Sequence, residues 1–178
     1  AILALATSWR RPGAAMLVLL AAIAPVFLVS RTVLGWEPGQ LVELAKEYDP
    51  DRGASLATRS AADAMLLDRA KERPWFGWGS GSGFREGIEA TDSLWGITVG
   101  KRGYVGLFGL FGVLFVAPHL GLRRLRRAAA SPGAVPEVAA PVAVLAIYGI
   151  DCLSNAMICP VFFALAGGLT GWGSRNSP

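Results

Sequence analysis

The sequence predicts an all-α membrane protein: a polytopic helical bundle, of which this chain is a C-terminal fragment, with a large, partly helical extracytoplasmic loop. Three observations lead there. Two apolar stretches without formal charge, residues 13–30 (GAAMLVLLAAIAPVFLVS) and 103–122 (GYVGLFGLFGVLFVAPHLGL), reach about 27 and 30 Å as helices, enough to cross a hydrocarbon core. Their far ends are basic: Arg10 and Arg11 precede the first, and Arg123, Arg124, Arg126 and Arg127 follow the second. Composition agrees, with 53% hydrophobic and 17% charged residues and a mean hydropathy of +0.44.

Residues 1–35 read as the end of an upstream helix (AILALATSW), a cytoplasmic turn and a transmembrane helix. A secretory signal fits less well, because the arginines precede the long apolar run and no small-residue cleavage site follows it. Short loops rich in Lys and Arg stay on the cytoplasmic side, so the basic ends place residues 36–102 outside. That loop carries 11 acidic and 9 basic residues and is too polar to enter lipid. Six of the 17 basic residues sit in the two cytoplasmic clusters, which explains the net charge of +4 as a topology signal. No nucleic-acid motif accompanies it, and no nucleic-acid partner is expected.

Within the loop, WEPGQLVELAKEYDP predicts a helix with Pro38 in its first turn and Pro50 at its end. Trp36, Leu41, Leu44, Ala45 and Tyr48 give it an apolar side suited to packing or to the membrane surface. A second helix is predicted from Ser55 to about Glu72, rich in Ala and Leu and free of Gly and Pro. Arg59 and Asp63, four apart, share one of its faces. Pro74 ends it. The following WFGWGSGSG places glycines at 77, 79, 81 and 83, where the backbone can turn sharply or approach a bound group. It is neither a phosphate-binding P-loop nor a dinucleotide fingerprint.

Residues 103–122 form the second span, 123–137 a basic cytoplasmic loop, and 138–178 one kinked or two short membrane helices and a tail. The apolar run 138–172 is 35 residues long and is interrupted by Asp151, Ser154, Asn155 and Pro160. Asp151 is costly in lipid unless it faces protein or water; a bond to backbone at a helix break competes with a substrate role. Cys152 and Cys159 have no metal-ligand spacing and read as packing residues, and no metal or other cofactor is expected. Trp9, Trp36 and Trp95 fall near predicted membrane boundaries, where indole rings prefer to sit.

Taken in order, these pieces resemble the C-terminal signature of the O-antigen ligase and O-antigen polymerase family. The resemblance rests on Arg59 in ATRSAADAMLL, then Pro74-Trp75-Phe76-Gly77-Trp78-Gly79, then Asp92-Ser93-Leu94-Trp95, then Gly103-Tyr104-Val105-Gly106-Leu107. It covers about residues 55–115. It implies a glycosyltransferase of the bacterial inner membrane, with an undecaprenyl-diphosphate-linked glycan as donor and lipid A core or another glycan as acceptor. Polysaccharide transport without transferase chemistry, and a non-catalytic assembly subunit, are the competing readings.

Arg59 matches the family arginine, and a planar guanidinium suits a diphosphate. Lys101 and Arg102, at the outer mouth of the second span, suit either substrate binding or interfacial anchoring, and Gly77 and Gly79 a close backbone approach to substrate. Ligase members carry a histidine where this chain has Asp92; the only histidine here, His119, lies near the cytoplasmic end of a span. Asp92 is therefore the candidate base, if its surroundings raise its pKa, and equally a candidate helix cap together with Ser93. Asp63, Glu86 and Glu89 are the next carboxylates in line.

Overall fold

A computed structural model describes residues 12–88, 92–128 and 135–171. The upstream-helix end with Arg10 and Arg11, Glu89, residues 129–134 of the basic loop, and the tail from Trp172 lie outside the described residues, as do the side chains of Arg124, Arg126 and Arg127. The chain is all-helical, with no strand among the described residues. Its helices are α1 (Pro12–Thr32), α2 (Gly39–Tyr48), α3 (Pro50–Glu72), α4 (Leu94–Ala128), α5 (Val135–Asp151) and α6 (Pro160–Gly171), with a short 3-10 turn at Ser82–Arg85. Ala15–Thr32 and Leu94–Arg123 are each long and apolar enough to cross a membrane, both with a mean hydropathy of 2.0.

The helices fall into two compact units. One comprises α1 up to Phe27, α4 from Leu110, α5 and α6; the other comprises Leu28–Gly109 together with Cys152–Met157.

The first unit is a bundle of apolar helices. Its core joins Val18 of α1, Ala117 and Leu122 of α4, Val142 and Leu145 of α5, and Leu169 of α6. A small residue lets α4 and α5 approach: a Cβ at Gly121 would collide with the Val142 side chain. The run 138–172 forms two helices, not one kinked helix. Tyr148 of α5 stacks on Phe162 of α6 with ring centroids 3.8 Å apart, and its hydroxyl accepts the Cys159 N–H at 3.2 Å. Cys152 and Cys159 are both free thiols. The outward faces are also apolar, with Met16, Leu19, Ile23 and Val26 of α1 and Val113 and Val116 of α4 exposed.

The second unit is built on α2 and α3, which pack as a hairpin with Gly53 against the Lys46 backbone, too close for any side chain. α3 begins at Pro50, five residues before the predicted start. Asp49 caps it by accepting the Arg52 N–H at 3.1 Å, and Pro50 occupies the first turn, where no N–H is needed. Pro50 thus ends one helix and opens the next.

α4 is broken at Gly103, whose φ of 62° and ψ of −165° only glycine adopts readily. The half-helix 94–102 belongs to the second unit. A helix break strands carbonyls on one side and N–H groups on the other, and the loop after α3 takes up both sets. Trp78 and Gly79 donate to the Gly100 and Lys101 carbonyls, each at 2.9 Å. Pro74 and Trp75 accept from Tyr104 at 2.7 Å and Val105 at 3.2 Å.

Candidate functional site

Arg59 and Asp63 lie one turn apart on α3 and project from the same face. They meet two consecutive residues of the segment that leads into α4. The Arg59 Nη2 stands 3.9 Å from the Asp92 Oδ2, and the Ser93 hydroxyl donates to the Asp63 Oδ1 in a buried hydrogen bond. Two residues that the sequence singled out separately, Arg59 and Asp92, are thus neighbours in space.

The other side of this segment is held by the turn between α5 and α6. Three consecutive carbonyls there are taken in register: Cys152 by the Leu94 N–H at 3.1 Å, Leu153 by the Trp95 indole N–H at 3.2 Å, and Ser154 by the Arg59 Nη1 at 3.4 Å. The helix break that the sequence located at residues 151–155 therefore spends its carbonyls on the candidate site. Asp151 itself ends α5 and is exposed. The Leu94 N–H, one of those that Asp92 or Ser93 would cap, is already bonded to Cys152, and the Ile97 N–H bonds to the Ser93 backbone carbonyl.

Burial divides the group. Asp63 and Ser93 are 9% and 4% exposed, whereas the side chains of Arg59 and Asp92 are 46% and 63% exposed. Burial pushes the Asp63 carboxyl up to about 6, although the Ser93 hydrogen bond and the charges of Arg31 and Arg59 pull it down. Gly96 completes the packing, since a Cβ there would come within 2.6 Å of the Ser93 Oγ and 2.9 Å of the Asp63 Oδ1.

Arg31, at the end of α1, is 5% exposed. Its Nη1 donates to the Trp36 carbonyl at 3.0 Å, its guanidinium lies 5.8 Å from the Trp95 ring centroid, and its Nε has no hydrogen-bond partner among the described residues. Trp95 is fully buried in protein, so it is not the interfacial anchor that its position near a predicted boundary implied; Trp36 keeps an exposed surface.

Gly77, Gly79 and Lys101 serve the helix break. Gly77 has a φ of 68°, and a Cβ there would lie 2.6 Å from the backbone nitrogens of Arg102 and Gly103. Gly79 has a φ of 75° with open space around it. The Lys101 ammonium lies 5.5 Å from the ring centroid of the buried Phe84, while Arg102 is exposed. His119 lies in the part of α4 that belongs to the first unit. Among the described residues, no three His, Cys, Asp or Glu side chains stand together as metal ligands would.

Sequence reasoning did not find Arg31, the Asp63–Ser93 bond or the carbonyls at 152–154. One signal was present: Arg31 directly follows the first apolar run, an arginine at the end of an apolar stretch just as Lys101 and Arg102 adjoin the next one.

Chemically, the site offers a half-exposed guanidinium that, among the described residues, makes a loose ion pair and one long hydrogen bond. Arginine has five N–H donors in a fixed fork, so donors remain for the oxygens of an anion. A carboxylate stands next to it, open to solvent and able to accept a proton or orient a hydroxyl. No family model, curated protein or solved structure matches this chain.

Proposed function

We propose that the chain is part of a membrane glycosyltransferase of the O-antigen ligase and polymerase type, acting outside the bacterial inner membrane. Its donor would be an undecaprenyl-diphosphate-linked glycan and its acceptor a hydroxyl of lipid A core or of another glycan. The observation that carries this reading is the approach of Arg59 and Asp92 to 3.9 Å. They come from separate motifs of the family-like sequence and meet where a cation and a proton acceptor are both needed.

The diphosphate lipid is already a good leaving group, so the protein has three tasks: to hold donor and acceptor in line, to offset charge developing on phosphate, and to accept a proton. Arg59 takes the second task, and Asp92 takes the third or orients the acceptor hydroxyl. Lys101 and Arg102 add positive charge toward the lipid headgroups. The two apolar helices with outward-facing apolar side chains support a membrane setting.

The test follows lipid-linked glycan in membranes that contain the protein. Wild type should consume the donor and transfer its glycan, and Arg59→Lys should slow transfer by at least about tenfold, because an ammonium cannot make the bidentate contact. Movement of the lipid-linked glycan across the membrane without its consumption would replace this reading with transport. Near-normal turnover in Arg59→Ala at equal protein level would remove Arg59 from the site.

A further inference from the structure

α3 grips two consecutive residues with two consecutive turns. Arg59 reaches Asp92, and Asp63 reaches Ser93. The two contacts differ in strength. An ion pair 3.9 Å long between side chains that are both largely exposed holds little by itself, because water screens it and two mobile side chains must be ordered. The bond from Ser93 to Asp63 is enclosed and made to a carboxylate, the stronger class of hydrogen bond.

We propose that Asp63 is a positioning residue, whose ionised carboxylate holds the segment at Ser93 and thereby keeps the Asp92 carboxylate in front of Arg59. The positioning stands on its own geometry; its consequence for turnover rests on the glycan-transfer reading above.

Three observations support it. Gly96 packs so closely on both the Ser93 Oγ and the Asp63 Oδ1 that the pair is shielded on that side by backbone. Charged groups act on Asp63 from two helices, Arg31 of α1 and Arg59 of α3 itself, and both favour its ionised form. Asp92, beyond Arg59, adds a negative charge to the cluster among the described residues. Against these cations stands burial, which leaves the carboxyl at about 6, within reach of an ordinary change of pH. As pH falls through that value Asp63 takes up a proton, Ser93 loses its charged acceptor, and the hold on Asp92 weakens.

Two measurements on the full chain test this. The first, which needs no activity, is hydrogen exchange of the backbone amides of 93–97 in detergent micelles. Ser93→Ala and Asp63→Ala should each speed that exchange by roughly fivefold or more, with exchange in α2 unchanged. Unchanged protection at 93–97 in both variants would overturn the proposal. The second is the pH profile of glycan transfer. Wild type should lose turnover as pH falls through about 6. Ser93→Ala and Asp63→Asn should each abolish the limb and stay at the low acid level throughout, because either change removes the charge-assisted bond through which Asp63 holds the segment. A wild-type limb retained in Asp63→Asn would also overturn it. If protection falls in the variants while wild type transfers no glycan at any pH, the positioning stands and the glycan-transfer reading fails.

Discussion

Asp63 accepts the hydroxyl of Ser93, 30 positions further along the chain, in a bond almost sealed from solvent. One turn earlier on the same helix, Arg59 faces Asp92 across 3.9 Å in a largely exposed pair. The enclosed bond has the geometry of an anchor and the exposed pair that of a site, and the predictions below separate these roles by substitution.

Asp92→Asn should leave stability within about 0.5 kcal/mol of wild type, because an exposed ion pair contributes little. Transfer of glycan should nevertheless fall by at least about a hundredfold if the carboxylate accepts the proton, the usual scale of a general base. Thermal unfolding and turnover on the same preparation decide it. Unchanged turnover would leave Asp92 as an orienting or structural group and move the search for the base elsewhere.

Asp63→Asn should change stability in a pH-dependent way with a definite sign. The carboxyl rises from an ordinary 3.8 to about 6 on folding, so between those values the folded protein holds a proton that the unfolded chain has released. Stability in wild type is therefore fully present below about pH 4 and declines as pH rises through about 6, by on the order of 2–3 kcal/mol. Asparagine cannot ionise yet still offers Ser93 an acceptor. The variant should match wild type near pH 4 and exceed it above pH 7, as read from denaturation at the two ends of the range. Parallel stability curves across that range would contradict the raised carboxyl.

Gly103→Ala and Gly77→Ala should each destabilise by more than about 2 kcal/mol, since both combine positive φ with backbone too close for a Cβ. Gly79→Ala, with positive φ but open space, should cost only about 1 kcal/mol. Unfolding midpoints of the three variants should follow that order. An equal effect at Gly79 and Gly77 would show that the contact with residues 101–103 does not matter.

A cysteine at Ser80, which is exposed, should react with a membrane-impermeant reagent added to intact cells. One at Ser131, within the predicted cytoplasmic loop, should not. Cys159→Ala supplies the background, Cys152 being fully buried. The opposite labelling pattern would place Arg59 and Asp92 on the cytoplasmic face, where an extracytoplasmic transfer cannot occur.

Much of the architecture was legible because the terms that set it are local. Apolar run length marks the helices that can cross a membrane, proline marks where a helix must start or stop, and Arg59 and Asp63 share a face by helical period alone. The start of α3 was missed by reading Pro50 only as a stop. The choice between one helix and two over 138–172 could not be read at all, since Asp151, Ser154, Asn155 and Pro160 fit a kink as well as a turn. The sequence by itself determined an all-helical chain with two long apolar helices, and it marked Arg59 and Asp92 as chemistry-bearing. Tertiary structure alone decided that the glycines at 77 and 79 serve the break in α4, that Asp63 is enclosed with Ser93, and that Arg59 reaches a carbonyl 95 residues away. Such meetings depend on how helices pack, and packing is a property of shape across the whole unit that no local pattern encodes.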